Sequence, residues 1–126
     1  MTNDQVYWQR YESAASISVL NPALSGVRID AVAVLHGREH DEHAVHAVLP
    51  PESKYMMRLP CPDIGCNNSF IDISNEIYNA VKSGKTAEGT KRCSGHIGKY
   101  AHNRSSAFDC EAYVKYRIEP ILRTEY

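Results

Sequence analysis

An α+β fold, a small antiparallel sheet with one packed helix, is predicted by two periodicities and by where the cysteines fall. Over residues 110–118, Ala112, Val114, Tyr116 and Ile118 share one face, while Glu111, Tyr113, Lys115, Arg117 and Glu119 share the other, which is the period of a strand. Over residues 74–83 the spacing becomes helical: Ile77 and Val81 lie one turn apart, and Phe70 and Ile73 continue the stripe upstream. The third observation is chemical. All four cysteines lie in one stretch, Cys61 and Cys66 in a proline-containing turn, Cys93 in Cys-Ser-Gly-His96, and Cys110 at the start of the last strand. Thiolate is the preferred soft ligand of tetrahedral zinc, so a structural zinc site is expected to staple the fold.

The elements follow in order. Tyr7, Tyr11 and Ala14 recur at helical spacing behind Asp4, a candidate cap, and predict a short docking helix within 3–15. Asn21-Pro22 breaks the chain, and Ser25-Gly26 signals a turn before a strand at 27–35. In that strand Val27, Ile29, Ala31, Ala33 and Leu35 form one face, and Val32 and Val34 make the other partly apolar, as if both sides were covered. A polar, glycine-containing loop at 36–42 leads to a second strand at 43–49, which Pro50-Pro51 ends. Tyr55, Met57 and Leu59 alternate with Met56 and Arg58 in a third strand that delivers the chain to Cys61. The helix at 74–83 takes Asp72 or Ser74 as its N-cap, and Gly84 stands just past its end. Gly84-Lys85-Thr86 matches the end of a phosphate-binding loop but lacks the upstream glycine and strand, and reads as a C-cap turn. Residues 95–107 read as irregular and exposed, and Pro120 as the end of the last strand or an edge position.

At 126 residues one core is the expectation. It divides into an N-terminal docking segment (1–26), a β-rich part (27–60), the zinc site with its inserted helix (61–110), and a final strand and tail (110–126). Charged residues make up 23% and apolar ones 43%, which excludes a disordered chain, and no apolar run approaches the roughly 20 residues that span a bilayer. The start, Met1-Thr-Asn-Asp-Gln, lacks a basic cluster followed by an apolar core, so a cytoplasmic address is expected. A reducing compartment favours metal over disulfides. The net charge of −1 conceals an asymmetry: residues 1–81 carry 5 Lys/Arg against 10 Asp/Glu, and residues 82–126 carry 9 against 5, so the cysteine end is the basic end.

Five residues compete for four ligand positions. The all-cysteine set, Cys61, Cys66, Cys93 and Cys110, is the first expectation, since a thiol left beside zinc would be an odd spectator. His96 is the alternate ligand, in place of Cys110. The Pro-Cys-Pro turn at 60–66 and the Cys-Ser-Gly turn at 93 resemble the zinc-ribbon and zinc-knuckle superfamily over residues 61–110. The chain differs from that pattern in having four residues between Cys61 and Cys66 and a helix before Cys93. The resemblance implies zinc held at strand ends. Four protein ligands leave no position for a reacting water, so the zinc is expected to be structural.

Two enzymatic motifs are echoed. His40-Asp-Glu42 with Pro60-Cys61 echoes the zinc deaminase signature, but the spacing to Cys66 is wrong and Cys93 and Cys110 would be orphaned. His36-x-x-Glu39-His40 matches an inverted metalloprotease motif, whose helix Gly37 would break. The segment with His36, His40, His43 and His46 among acidic residues reads better as a pH-sensitive patch or a solvated loop.

The expectation is a non-enzymatic, zinc-stabilised interaction protein. It would bind another protein as a small regulator or inhibitor of the type mobile elements carry, with Lys91, Arg92, Lys99, Tyr100 and Arg104 as the partner-binding surface. The alternative is a nucleic-acid-binding zinc module using the same cations, and a zinc-dependent hydrolase or deaminase is the remote third reading. The opposite charges of the two halves also suit self-association, and no membrane partner is expected.

Overall fold

The computed structural model describes the backbone of residues 3–66, 70–94, 96–97 and 108–124, and the side chains of 5–66, 70–94 and 110–124. Helices α1 (Asn3–Ser13) and α2 (Ile17–Leu20) lead into a hairpin of β1 (Leu24–Leu35) and β2 (Arg38–Leu49). Then come β3 (Arg58–Pro60), β4 (Phe70–Asp72), α3 (Ser74–Ser83), β5 (Ala87–Arg92), β6 (His96–Ile97), β7 (Phe108–Asp109) and β8 (Tyr113–Leu122). The main sheet is antiparallel in the order β2-β1-β8-β5, and β3-β4 and β6-β7 form two small ribbons. This is the α+β class expected, with one principal helix on the sheet.

The inner face of the sheet carries Val27, Ile29, Ala31 and Ala33 of β1 and Val114 and Ile118 of β8, all buried. Against them pack Ile77, Ala80 and Val81 of α3, with Leu59, Ile71 and Ile73 from the β3–β4 ribbon and its exit. Helix α3 ends as anticipated: Gly84 takes φ 69 and donates its N–H to the Ala80 carbonyl at 2.8 Å. At the start of α3, Ile73 holds the cap position without a side-chain bond, and Asp72 Oδ1 accepts the Ser74 N–H instead, at 2.8 Å. Ser74 Oγ in turn accepts the Met57 N–H at 3.0 Å and so ties the helix to the approach of β3.

Several boundaries differ from the sequence reading, each for a local reason. The hairpin turn is only His36-Gly37, both at positive φ (52 and 76), and Leu35 pairs with Arg38, so β2 begins at Arg38 and not at 43. β2 then travels from Val45 to His40 while β1 travels only from Ala31 to Ala33. Residues 41–44 therefore bulge from the edge. Ser25-Gly26 is not a turn but part of β1. A Cβ on Gly26 would lie 2.7 Å from the Leu49 carbonyl oxygen, and this close approach of backbones is what requires glycine. The third strand is shortened to Arg58–Pro60, because Tyr55 and Met57 serve contacts with α3 and its start instead. The last strand continues through Pro120, which pairs with Val27 beyond the end of β5, where β8 has a neighbour on one side only.

Helix α1 forms where expected, with Asp4 inside its first turn and not before it. It docks through aromatic rings and cations. The Arg58 guanidinium lies 4.2 Å from the Tyr7 ring centroid and 3.9 Å from that of Phe70, and Lys54 Nζ caps the helix by donating to the Tyr11 and Glu12 carbonyls at 2.5 and 2.7 Å. Burial pushes the Tyr7 hydroxyl up to about 12, with the Asp72 carboxylate acting in the same direction and Arg58 opposing. A raised folded pKa favours the protonated form, so this contribution to stability is complete below about pH 10 and is lost as pH climbs through about 12. An ultraviolet titration is expected to show one tyrosine ionising late, with α1 loosening as it does, and Tyr7→Phe should remove that late step.

Candidate metal centre

The centre forms where three strand ends meet. β3 ends at Pro60 and delivers Cys61, β5 ends at Arg92 and delivers Cys93, and Cys110 lies between β7 and β8. Cys93 is pinned to the start of β8 by its N–H, which donates to the Ala112 carbonyl at 2.9 Å. Cys66 is brought back by the turn after Cys61: the Gly65 N–H donates to Asp63 Oδ1 at 2.9 Å, and the Cys66 N–H donates to the Asp63 carbonyl at 3.1 Å. Asp63 is the organiser that the sequence reading passed over. Its Asp-x-Gly pattern is the signal of an Asx turn, and it explains how four intervening residues can replace a tighter spacing.

All four sulfur atoms lie within 4.8 Å of one another, and the Cys61–Cys110 and Cys66–Cys93 sulfur separations are both 3.6 Å. None of the four is in a disulfide. A tetrahedron with ligands about 2.3 Å from its centre has edges of about 3.8 Å, so four thiolates at these separations suit a single tetrahedrally bound metal ion. Cys110 is fully buried and Cys93 nearly so. Burial pushes the Cys61 thiol well up, while a hydrogen bond from the Asp63 backbone works the other way. Four thiolates so close together would repel one another, and a cation bound among them offsets that repulsion.

The other sequence-predicted residues separate into groups. The His96 side chain, Lys99, Tyr100 and Arg104 lie outside the described residues. Lys91 is on the inner face of β5 and pairs with Glu76 of α3 at 3.3 Å, whereas Arg92 is exposed. The histidine segment is hairpin turn, edge strand and bulge, not helix. His46 Nδ1 meets Asp30 Oδ1 at 2.9 Å, His40 Nδ1 meets Glu42 Oε1 at 3.2 Å, and His36 Nδ1 meets Glu111 Oε2 at 3.5 Å. Neither His40 nor Glu42 joins the cysteine group, which is the one cluster of potential metal ligands among the described residues.

Beside the centre opens a cleft of about 470 Å³, bounded by α1, the β3–β4 ribbon, the start of α3 and the end of β5. Arg10, Arg58 and Lys91 line it together with Tyr7, Tyr55 and Phe70, and Asp72 is its carboxylate. Ser94, next to Cys93, reaches its wall. No helix among the described residues is long and apolar enough to cross a membrane. Family models, curated proteins and solved structures were compared with the chain, and none matches.

Proposed function

We propose that the protein is a non-enzymatic interaction module, stapled by one structural zinc ion on Cys61, Cys66, Cys93 and Cys110, that binds an acidic segment of another protein. Zinc is supported by an all-thiolate donor set at single-ion spacing, and four protein ligands leave it no catalytic position. The resemblance to zinc knuckles is supported by the Cys61–Cys66 turn, in which an N–H from the Asp63 backbone is directed at Cys61 sulfur.

The observation that carries the binding role is the cleft beside the centre. Its volume falls in the range of formed binding sites, and its lining of tyrosine and arginine is the composition enriched where interfaces concentrate their energy. Three cations against Asp72 favour an acidic occupant. Lys91 contributes its stem and a charge shared with Glu76, so Arg10 at the rim is the cation to test.

Fluorescence anisotropy with an oligoglutamate peptide and with a single-stranded oligonucleotide, each across a salt series, tests this reading. The peptide is expected to bind, and Arg10→Glu to weaken it roughly tenfold, the scale of one close charge contact. Tighter oligonucleotide binding with a steep logarithmic salt dependence would instead assign the cleft to nucleic acid.

A further inference from the structure

The two edges of the main sheet are finished differently. β2 carries the bulge at 41–44 and a run of charged and histidine side chains, which are the devices that keep a strand edge from pairing. β5 has no bulge along its pairing with β8, and nothing among the described residues pairs with its other side. Its lysine does not guard that edge either, because the Lys91 ammonium is turned onto Glu76 of α3. Glu88, Gly89, Thr90 and Arg92 are exposed.

We propose that this edge pairs with β5 of a second copy of the chain, antiparallel about a two-fold axis at Thr90, joining two four-stranded sheets into one. The charge pattern selects this partner and this register. Glu88, Thr90 and Arg92 share the outer face, as the Arg117–Glu88 ion pair and the opposite placement of Lys91 show. With Thr90 opposite Thr90, Glu88 of each copy faces Arg92 of the other, so the two-fold axis produces two opposite-charge cross-strand pairs. Lys91 then falls opposite Gly89, over which the Tyr116 ring and hydroxyl lie. Shifting the axis to Gly89 sets Glu88 against Thr90 and loses both pairs, and shifting it to Lys91 sets the two lysines against each other. Glu88 keeps its contact with Arg117 in the chosen register, since a carboxylate accepts from two guanidinium groups and this one is 60% exposed.

The test is sedimentation equilibrium of the metal-loaded full chain over a concentration series, with Glu88→Arg and Arg92→Glu measured singly and mixed. Wild type is expected to dimerise reversibly. Each single variant turns both opposite-charge pairs into like-charge pairs and should weaken association roughly tenfold or more. An equimolar mixture restores both pairs in the heterodimer, because one chain then carries two arginines and the other two glutamates, and dimerisation should return. Circular dichroism and metal content establish that both variants are folded, as expected for exposed sites. A wild type that stays monomeric up to about 1 mM, variants that associate as wild type does, or a mixture that fails to recover each overturn the proposal.

Discussion

Chelating the metal is expected to unfold the protein, not to leave an intact fold with a silent site. Structural zinc contributes about 10–16 kcal/mol in small domains, and whole domains are stable by only about 5–15 kcal/mol, so the loss is of the size of a domain's whole margin. The geometry gives the reason. Cys61 and Cys66 belong to the β3–β4 side, Cys93 and Cys110 to the β5–β8 side, and the short 3.6 Å sulfur pairs both run between the two sides. Without the ion those pairs become close-packed thiols with no bond between them. Elemental analysis should find one zinc per chain, and the far-ultraviolet dichroism of the chelated protein should lose its cooperative melt. Serine at any of the four cysteines should abolish zinc retention, while His96→Ala should keep it. Zinc retained by Cys110→Ser and lost by His96→Ala would assign the fourth position to the histidine.

Truncating Ile77 to alanine should be the most damaging change remote from the metal, at about 2–5 kcal/mol. Ile77 is completely buried on the stripe by which α3 meets the sheet, between Ile73 and Val81, which are equally buried. The cavity left there has walls of backbone and β-branched side chains that collapse poorly. Urea unfolding of the zinc-loaded protein should show a lower midpoint at unchanged slope, and Asn79→Ala, on the exposed side of the same helix, should stay within about 0.5 kcal/mol of wild type.

What could be read from the chain was what period and punctuation encode. β1, β8 and α3 each bury one face, so their spacing is written in Val27 to Ala33, in Ala112 to Ile118 and in Ile77 and Val81, and Gly84 marks the helix end in its own left-handed φ. β2 was half missed because an edge strand solvated on most sides leaves no apolar alternation at Arg38 to His43, and its bulge breaks whatever period remains. Gly26 was misread because glycine marks close approach as readily as a turn, and only the position of Leu49 tells them apart. α2 has four residues and one buried side chain, too little for any periodicity. The cysteines were legible as chemistry. Their convergence depended on which strands are neighbours, and that β8 lies between β1 and β5 cannot be read from local pattern.

That central place of β8 governs the order in which the molecule can be completed during synthesis. Among the described residues it follows all seven other strands along the chain, and it pairs with β1 over nearly its whole length, from Leu24 with Leu122 to Val34 with Tyr113. Until it emerges from the ribosome the main sheet can be no more than the β1–β2 hairpin, a ribbon too small to be stable alone, and β5 has nothing to pair with. The closing contacts span most of the sequence, which makes the final step slow compared with forming α3 or the hairpin. Cys110 stands immediately ahead of β8, so the nascent chain offers three thiols for as long as it lacks its middle strand. The fourth thiol and the strand that closes the sheet arrive together, so the four-cysteine cluster and the core are completed in one late event.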